Sequence, residues 1–160
     1  SDKVNVWPAV SIYGQSFFND KLRDGVGTSI GSSASYAFDP KTSWLGSLFY
    51  SYNNADNNRY TYNNMFIGNS LNRTLTNNLS AAFGYNLQLF YYADADPTFG
   101  TARRDNGHTF YLNFDYDLNQ FVKKHRTFLN LNVSYNQNNS NHSFQDTGRL
   151  FTSLKLTFSF

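Results

Sequence analysis

The chain has 160 residues, a formal net charge of +2 and no cysteine, which fits one domain, 1–160, without disulfides or a thiolate site. Charged residues make up 15% and aromatics 19%, with 12 Tyr and 16 Phe, so the polarity lies in Asn, Ser, Thr and Gln rather than in an ion-rich surface. Mean hydropathy of -0.54, with no run near the ~20 apolar residues of a spanning helix, excludes a helical membrane protein. Scattered Lys and Arg offer no basic face for nucleic acid.

In chain order the sequence alternates with period two, the signature of strands with one apolar face. Val4, Val6, Val10 and Ile12 share a face, and Pro8 marks a strand end or bulge because it cannot donate to a ladder. Val26, Ile30, Ala34, Tyr36 and Phe38 oppose the small residues Gly27, Ser29, Gly31, Ser33 and Ser35. A third segment aligns Trp44, Leu48, Tyr50 and Tyr52. In the fourth, Met65, Ile67, Leu71 and Leu75 share a face with Asn69 and Arg73, so a bulge that switches faces is expected there.

The second half alternates more cleanly. Leu79, Ala81, Phe83, Tyr85, Leu87, Leu89 and Tyr91 oppose Ser80, Ala82, Gly84, Asn86 and Gln88. Phe110, Leu112, Phe114, Tyr116 and Leu118 oppose Asn113, Asp115 and Asp117, and Leu129, Leu131, Val133 and Tyr135 oppose Asn130, Asn132 and Ser134. The last segment, "LFTSLKLTFSF", carries its apolar residues on even positions through Phe160.

Eight strands are therefore expected, joined by connections of alternating length. Segments 19–25, 53–59, 93–107 and 138–148 read as longer polar loops, 39–43 and 76–78 as tight turns, and 119–126 as intermediate. Such strands suit either a soluble sandwich or barrel, with apolar stripes inward, or a transmembrane barrel, with those stripes toward lipid. Residue size favours the second. The polar faces are crowded with small groups, which fit the interior of a narrow barrel. The apolar stripes end in Trp44, Tyr50, Tyr52, Tyr91, Tyr116 and Tyr135, amphipathic rings suited to membrane interfaces.

Leu154, Leu156, Phe158 and Phe160 resemble the C-terminal signature of bacterial outer-membrane β-barrel proteins, and the strand count and loop alternation resemble the small OmpA/OmpX-type barrels. The resemblance implies an all-β, antiparallel up-and-down transmembrane barrel of eight strands in a bacterial outer membrane, with both termini and the short turns periplasmic. It also implies contact with lipid and lipopolysaccharide, and recognition of the last strand by the barrel-assembly machinery. Strands belonging to a larger barrel are the alternative, raised by Pro8 and the irregular fourth segment.

No catalytic, cofactor or metal site is expected. His125 lies in a basic turn, "VKKHR". His142, with Ser143 and Asp146 nearby, lacks the strand-borne His-x-Ser pattern of lipid A deacylase-type barrels. Asp94, Asp96, Asp105 and His108 resemble the water-activating groups of omptin-type proteases only in composition, and two aspartates fall short of a calcium site's six to eight oxygens. Asp115, Asp117 and Lys155 fall on the polar phase, and buried charges must be paired. An internal ion-pair network is expected there, with Arg73 joining it or snorkelling to the interface. The expected function is a structural or surface-interaction barrel acting through its longer loops. The alternatives are transport, as a narrow channel or part of a larger pore, and a barrel enzyme.

Overall fold

A computed structural model describes residues 3–119 and 126–159. Eight strands follow in chain order: β1 (Val4–Gln15), β2 (Gly25–Asp39), β3 (Thr42–Ala55), β4 (Tyr62–Thr76), β5 (Leu79–Ala95), β6 (Ala102–Asp117), β7 (Arg126–Ser140) and β8 (Thr147–Ser159). They form one antiparallel up-and-down sheet in which every strand pairs with its sequence neighbours. Tight connections at 40–41 and 77–78 lie at one end. The connections 16–24, 56–61, 96–101 and 141–146 lie at the other.

The sheet has two faces of opposite chemistry. Directly paired residues share a face, so the registers extend each stripe across all the strands. One face carries Val6, Ile30, Leu48, Ile67, Leu87, Leu112, Val133 and Leu154; the other carries Ser29, Ser51, Asn64, Asn86, Asn113, Asn132 and Ser153. Among the described residues no second layer covers the apolar face: Val10 is 75% exposed, Ile12 77%, Leu150 70% and Leu154 69%. Among the described residues Ala55 is the sole buried hydrophobic. A sandwich would bury such a face.

Two expectations are corrected. The fourth segment switches no faces: β4 pairs continuously from Tyr62 to Thr74, and its one irregularity lies at Thr74/Thr76, beside the turn. Strands also run further than their stripes. Residues 93–95 and 102–107, read as loop, are strand, as are 53–55 and 138–140; polar residues on both faces had hidden them. Among the described residues the sheet order runs from β1 to β8, with no pairing between those two strands. Both edge strands are exposed on both faces apart from the half-buried Tyr13 and Gln15. Pro8 sits on the edge strand β1, opposite Ser32, where a missing donor is tolerated.

On the polar face, rings lie over glycines of the neighbouring strand. Tyr13 pairs with Gly27, Phe49 with Gly31 and Tyr111 with Gly84, and a Cβ on any of these glycines would collide with the opposing ring. The absent side chain makes room for the aromatic group, which shields the bare backbone.

Candidate functional site

Three of the four longer connections share one plan. Each holds a single 3-10 turn: Lys21–Arg23, Asn58–Tyr60 and Ser143–Gln145. The next residue returns its side-chain oxygen to a backbone N–H near the end of the preceding strand. Asp24 Oδ1 accepts from Phe17 N at 2.6 Å, Thr61 Oγ1 from Ala55 N at 3.0 Å and Asp146 Oδ1 from Ser140 N at 2.6 Å. The fourth connection turns on Asp96, whose Oδ1 accepts from Thr98 N at 2.8 Å, and on Gly100, at φ 67°, a left-handed conformation suited to glycine. The backbone N–H groups on Asp24 and Asp96 hold both carboxyls below the usual carboxylate range.

These connections link into a rim. Asp56 N and Asn57 N donate to Asp24 O and Leu22 O, Ala93 N donates to Thr61 O, and Asn141 N donates to Arg104 O. His142, 1% exposed, lies 3.2 Å from Thr101 Oγ1 through Nε2 and stacks on Phe99 at 4.4 Å.

Beneath the rim, on the polar face, is a pocket of about 310 Å³ that includes Gln15, Arg23, Asn53, Tyr62, Tyr92 and Arg103. Arg23 lies over Phe17 at 4.6 Å and Tyr60 at 5.5 Å. Arg103 lies over Tyr92 at 5.0 Å and grips Asp105 with two contacts, Nε–Oδ1 at 2.9 Å and an Nη2–Oδ2 ion pair at 2.5 Å. Asp105 is 3% exposed, so the bidentate grip compensates its buried charge. Further down this face, amides bridge strands: Thr109 Oγ1 donates to Asn136 Oδ1 at 2.6 Å, and Asn132 Nδ2 donates to Asn113 Oδ1. A depression of about 490 Å³ there is lined by Asn86, Gln88, Asn136 and Arg149 together with Phe90 and Phe151.

On the apolar face, the apolar residues form a belt that crosses the hydrogen-bonded rows obliquely. The row Leu48–Ile67–Leu87–His108–Gln137 is apolar on β3 to β5 and polar on β6 and β7. Toward the tight-turn end, the row Thr42–Arg73–Ala81–Phe114–Leu131–Leu154 is polar on β3 and β4 and apolar from β5 to β8. A belt of constant height on tilted strands has this geometry, because tilt staggers the rows.

The six aromatic residues singled out from the sequence all lie on the apolar face. Tyr52, Tyr91 and Tyr135 stand at the belt's margin near the longer connections, with Tyr50 one step inside Tyr52; Trp44 and Tyr116 stand toward the tight turns. Leu154, Leu156 and Phe158 lie on the same face of β8, paired with Leu131, Leu129 and Thr127. Phe160 and His125 lie outside the described residues.

The expected ion-pair network does not assemble. Asp115 and Lys155 do share the polar face, in the row Ser80–Asp115–Asn130–Lys155. Asn130 stands between them and gives its Nδ2 to Asp115 Oδ1 at 2.8 Å. Lys155 is exposed and, among the described residues, has no ion pair. Asp117 Oδ1 instead accepts from Asn119 N at 2.8 Å. Arg73 lies on the apolar face, opposite Thr42 and Ala81, at the belt's margin.

The residues considered for chemistry also diverge. Asp105 faces the polar side and His108 the apolar side, where its Nδ1 lies 2.8 Å from Tyr85 Oη. Asp96 and Asp146 are engaged by backbone N–H groups, and His142 meets Thr101 rather than Ser143. The pocket beneath the rim escaped sequence reading, because its residues come from β1, β3, β4, β5, β6 and two connections; Arg23 between Phe17 and a distant Tyr60 has no local signature. No family model, curated protein or solved structure matches the chain.

Proposed function

We propose that the eight strands form part of the wall of a transmembrane β-barrel in a bacterial outer membrane, larger than eight strands and serving transport through a polar lumen. The observation that carries this reading is the pair of open edges. β1 and β8 keep the same apolar and polar faces as the interior strands, yet among the described residues neither meets the other. Unpaired edges are untenable in hydrocarbon, so further strands, from the same polypeptide or another copy, complete the ring.

Three features support the membrane half of the reading. The apolar face has no covering layer, its belt is oblique to the rows, and strands of 12 to 17 residues exceed the ~9–11 that cross a bilayer. The tight turns then lie on the periplasmic side and the rim outside. The belt meets lipid, and the rim lies at the level of lipopolysaccharide. The alternating ending of β8 serves the assembly machinery. The Asn- and Ser-rich face, with its larger depression, lines the lumen.

Spin labels on Val6 and Leu154, both on the apolar face of the edge strands, test the reading in lipid vesicles. A β1–β8 separation well beyond the ~5 Å of adjacent strands, with ion conductance in planar bilayers, is the expected result. Adjacent-strand distances without conductance would instead mean a closed, narrow eight-stranded barrel. The rim would then be the working surface, as a surface-interaction role requires.

A further inference from the structure

Aromatic rings cover several glycines of the polar face, but none covers Gly107. The nearest atoms to a Cβ there would be Gln88 O at 3.6 Å, Gln88 Cβ at 3.7 Å and Asn138 Oδ1 at 3.9 Å, which is ordinary contact. Gly107 lines the larger depression, and its direct partners across the ladder are Gln88 on β5 and Asn138 on β7. In the next row Thr109 lies between Asn86 and Asn136. Four amides therefore flank a floor made of Gly107 and Thr109, across two strand spacings, roughly 9–10 Å.

These amides have hydrogen-bonding capacity to spare. Asn86 and Gln88 are half-buried, yet among the described residues their side chains have no hydrogen-bond partner and their polar atoms stay open to solvent. Asn136 uses its Oδ1 on Thr109 and Asn138 its Nδ2 on Gln145 O, which leaves Asn136 Nδ2 and Asn138 Oδ1 free among the described residues. Side-chain amides both donate and accept, as sugar hydroxyls do. No carboxylate lines the depression to select a cation, and a single Arg149, exposed on β8, does not define an anion site. Phe66, Phe90 and Phe151 add apolar ring surface, and Phe151 is 49% exposed on an otherwise Asn- and Ser-rich face. A volume of about 490 Å³ falls within the range of small-molecule sites, ~300–1,000 Å³.

We infer that this depression binds a neutral saccharide. One sugar ring lies over Gly107, in the place that an aromatic ring takes over Gly27, Gly31 and Gly84. Its hydroxyls bond to Asn86 and Gln88 on one side and to Asn136 and Asn138 on the other. The inference gives the pore reading a substrate class and rests on that reading for passage across the membrane. Binding itself needs only β4 to β8, which form the whole depression.

The test is calorimetric titration of the full chain, folded in a detergent without a sugar headgroup, with maltose, lactose, sucrose and trialanine. Saturable binding of at least one disaccharide is expected, with trialanine at least about tenfold weaker. Gly107→Leu puts a side chain in the sugar's place, and Gln88→Leu removes an amide at similar volume; each should weaken binding about tenfold or more. Lys155→Met, outside the depression, serves as the unaffected control. Heat-modifiable gel mobility reports folding of each variant, and if Gly107→Leu does not fold, Gln88→Leu decides. Absence of saturable disaccharide binding, or binding unchanged in the folded variants, overturns the inference. So does trialanine bound as tightly as the best sugar, which would mark a peptide site. Binding without ion conductance in planar bilayers would keep the site and count against the pore; conductance without binding would do the reverse.

Discussion

Tyr13 lays its ring over Gly27, its direct partner across β1 and β2, in the space that a Cβ on residue 27 would occupy. The pair joins an edge strand to the sheet just below the rim. Gly27→Ala forces the ring off this position, and overpacking of this kind costs about 1–3 kcal/mol. Urea unfolding from detergent is the measurement. Combining Gly27→Ala with Tyr13→Ala should recover part of the loss, giving a coupling energy of about 0.5 kcal/mol or more; strict additivity would mean that the ring does not lie there.

The oblique belt makes a prediction within one hydrogen-bonded row. Ile67 and Gln137 share the row that runs through Leu87 and His108, yet Ile67 lies inside the belt and Gln137 outside it. Arg at a lipid-facing mid-bilayer position costs about 2–4 kcal/mol and near the interface about 0–1. If the belt meets lipid as proposed, Ile67→Arg should lower folding stability in phospholipid bilayers by the larger amount and Gln137→Arg by the smaller. Equal costs would contradict the tilt.

Asn130, between Asp115 and Lys155, yields different expectations for itself and for Lys155. Lys155→Met should change unfolding free energy by less than about 0.5 kcal/mol, as for exposed positions without a specific partner. Asn130→Leu removes the donor to Asp115 Oδ1, and a lost hydrogen bond to a charged group costs about 1.5–3 kcal/mol. A large Lys155→Met effect would restore the direct ion pair.

The rim should loosen in acid. Asp24 and Asp96 carry carboxyl pKa values lowered chiefly by backbone N–H groups, those of Phe17 and Thr98. Their contribution to order is therefore fully present above the ordinary carboxylate pKa, about 4, and is lost as pH falls through the lowered values. Amide exchange at Phe17 and Thr98, corrected for intrinsic rates, should show protection falling below about pH 4. In Asp24→Asn the Phe17 amide should lose this pH dependence, while Thr98 keeps it.

The faces and order of the strands were legible because period two is a property of the backbone, and the apolar stripes of Leu79–Tyr91 and Leu129–Tyr135 obey it without interruption. What escaped has physical reasons. Residues such as Arg103–Gly107 form strand beyond the belt, where both faces carry polar residues and alternation carries no signal. The polar phase of Asp115 and Lys155 was readable, but the intervening Asn130 is a matter of register, which links strands that no local pattern compares. Closure is likewise invisible, since an edge strand and an interior strand of a barrel share one pattern.

The neighbour-to-neighbour strand order has a consequence for how the protein is made. Each pairing joins segments adjacent in sequence, so every hairpin can form with a short loop to close and little entropy to lose. The clamps at Asp24, Thr61 and Asp146 finish three of these hairpins within themselves. Growth of the sheet is then a succession of local, repeatable additions. On the barrel reading proposed above, the slow and vulnerable event is the capture of the two outermost strands, whose backbone edges stay open until then.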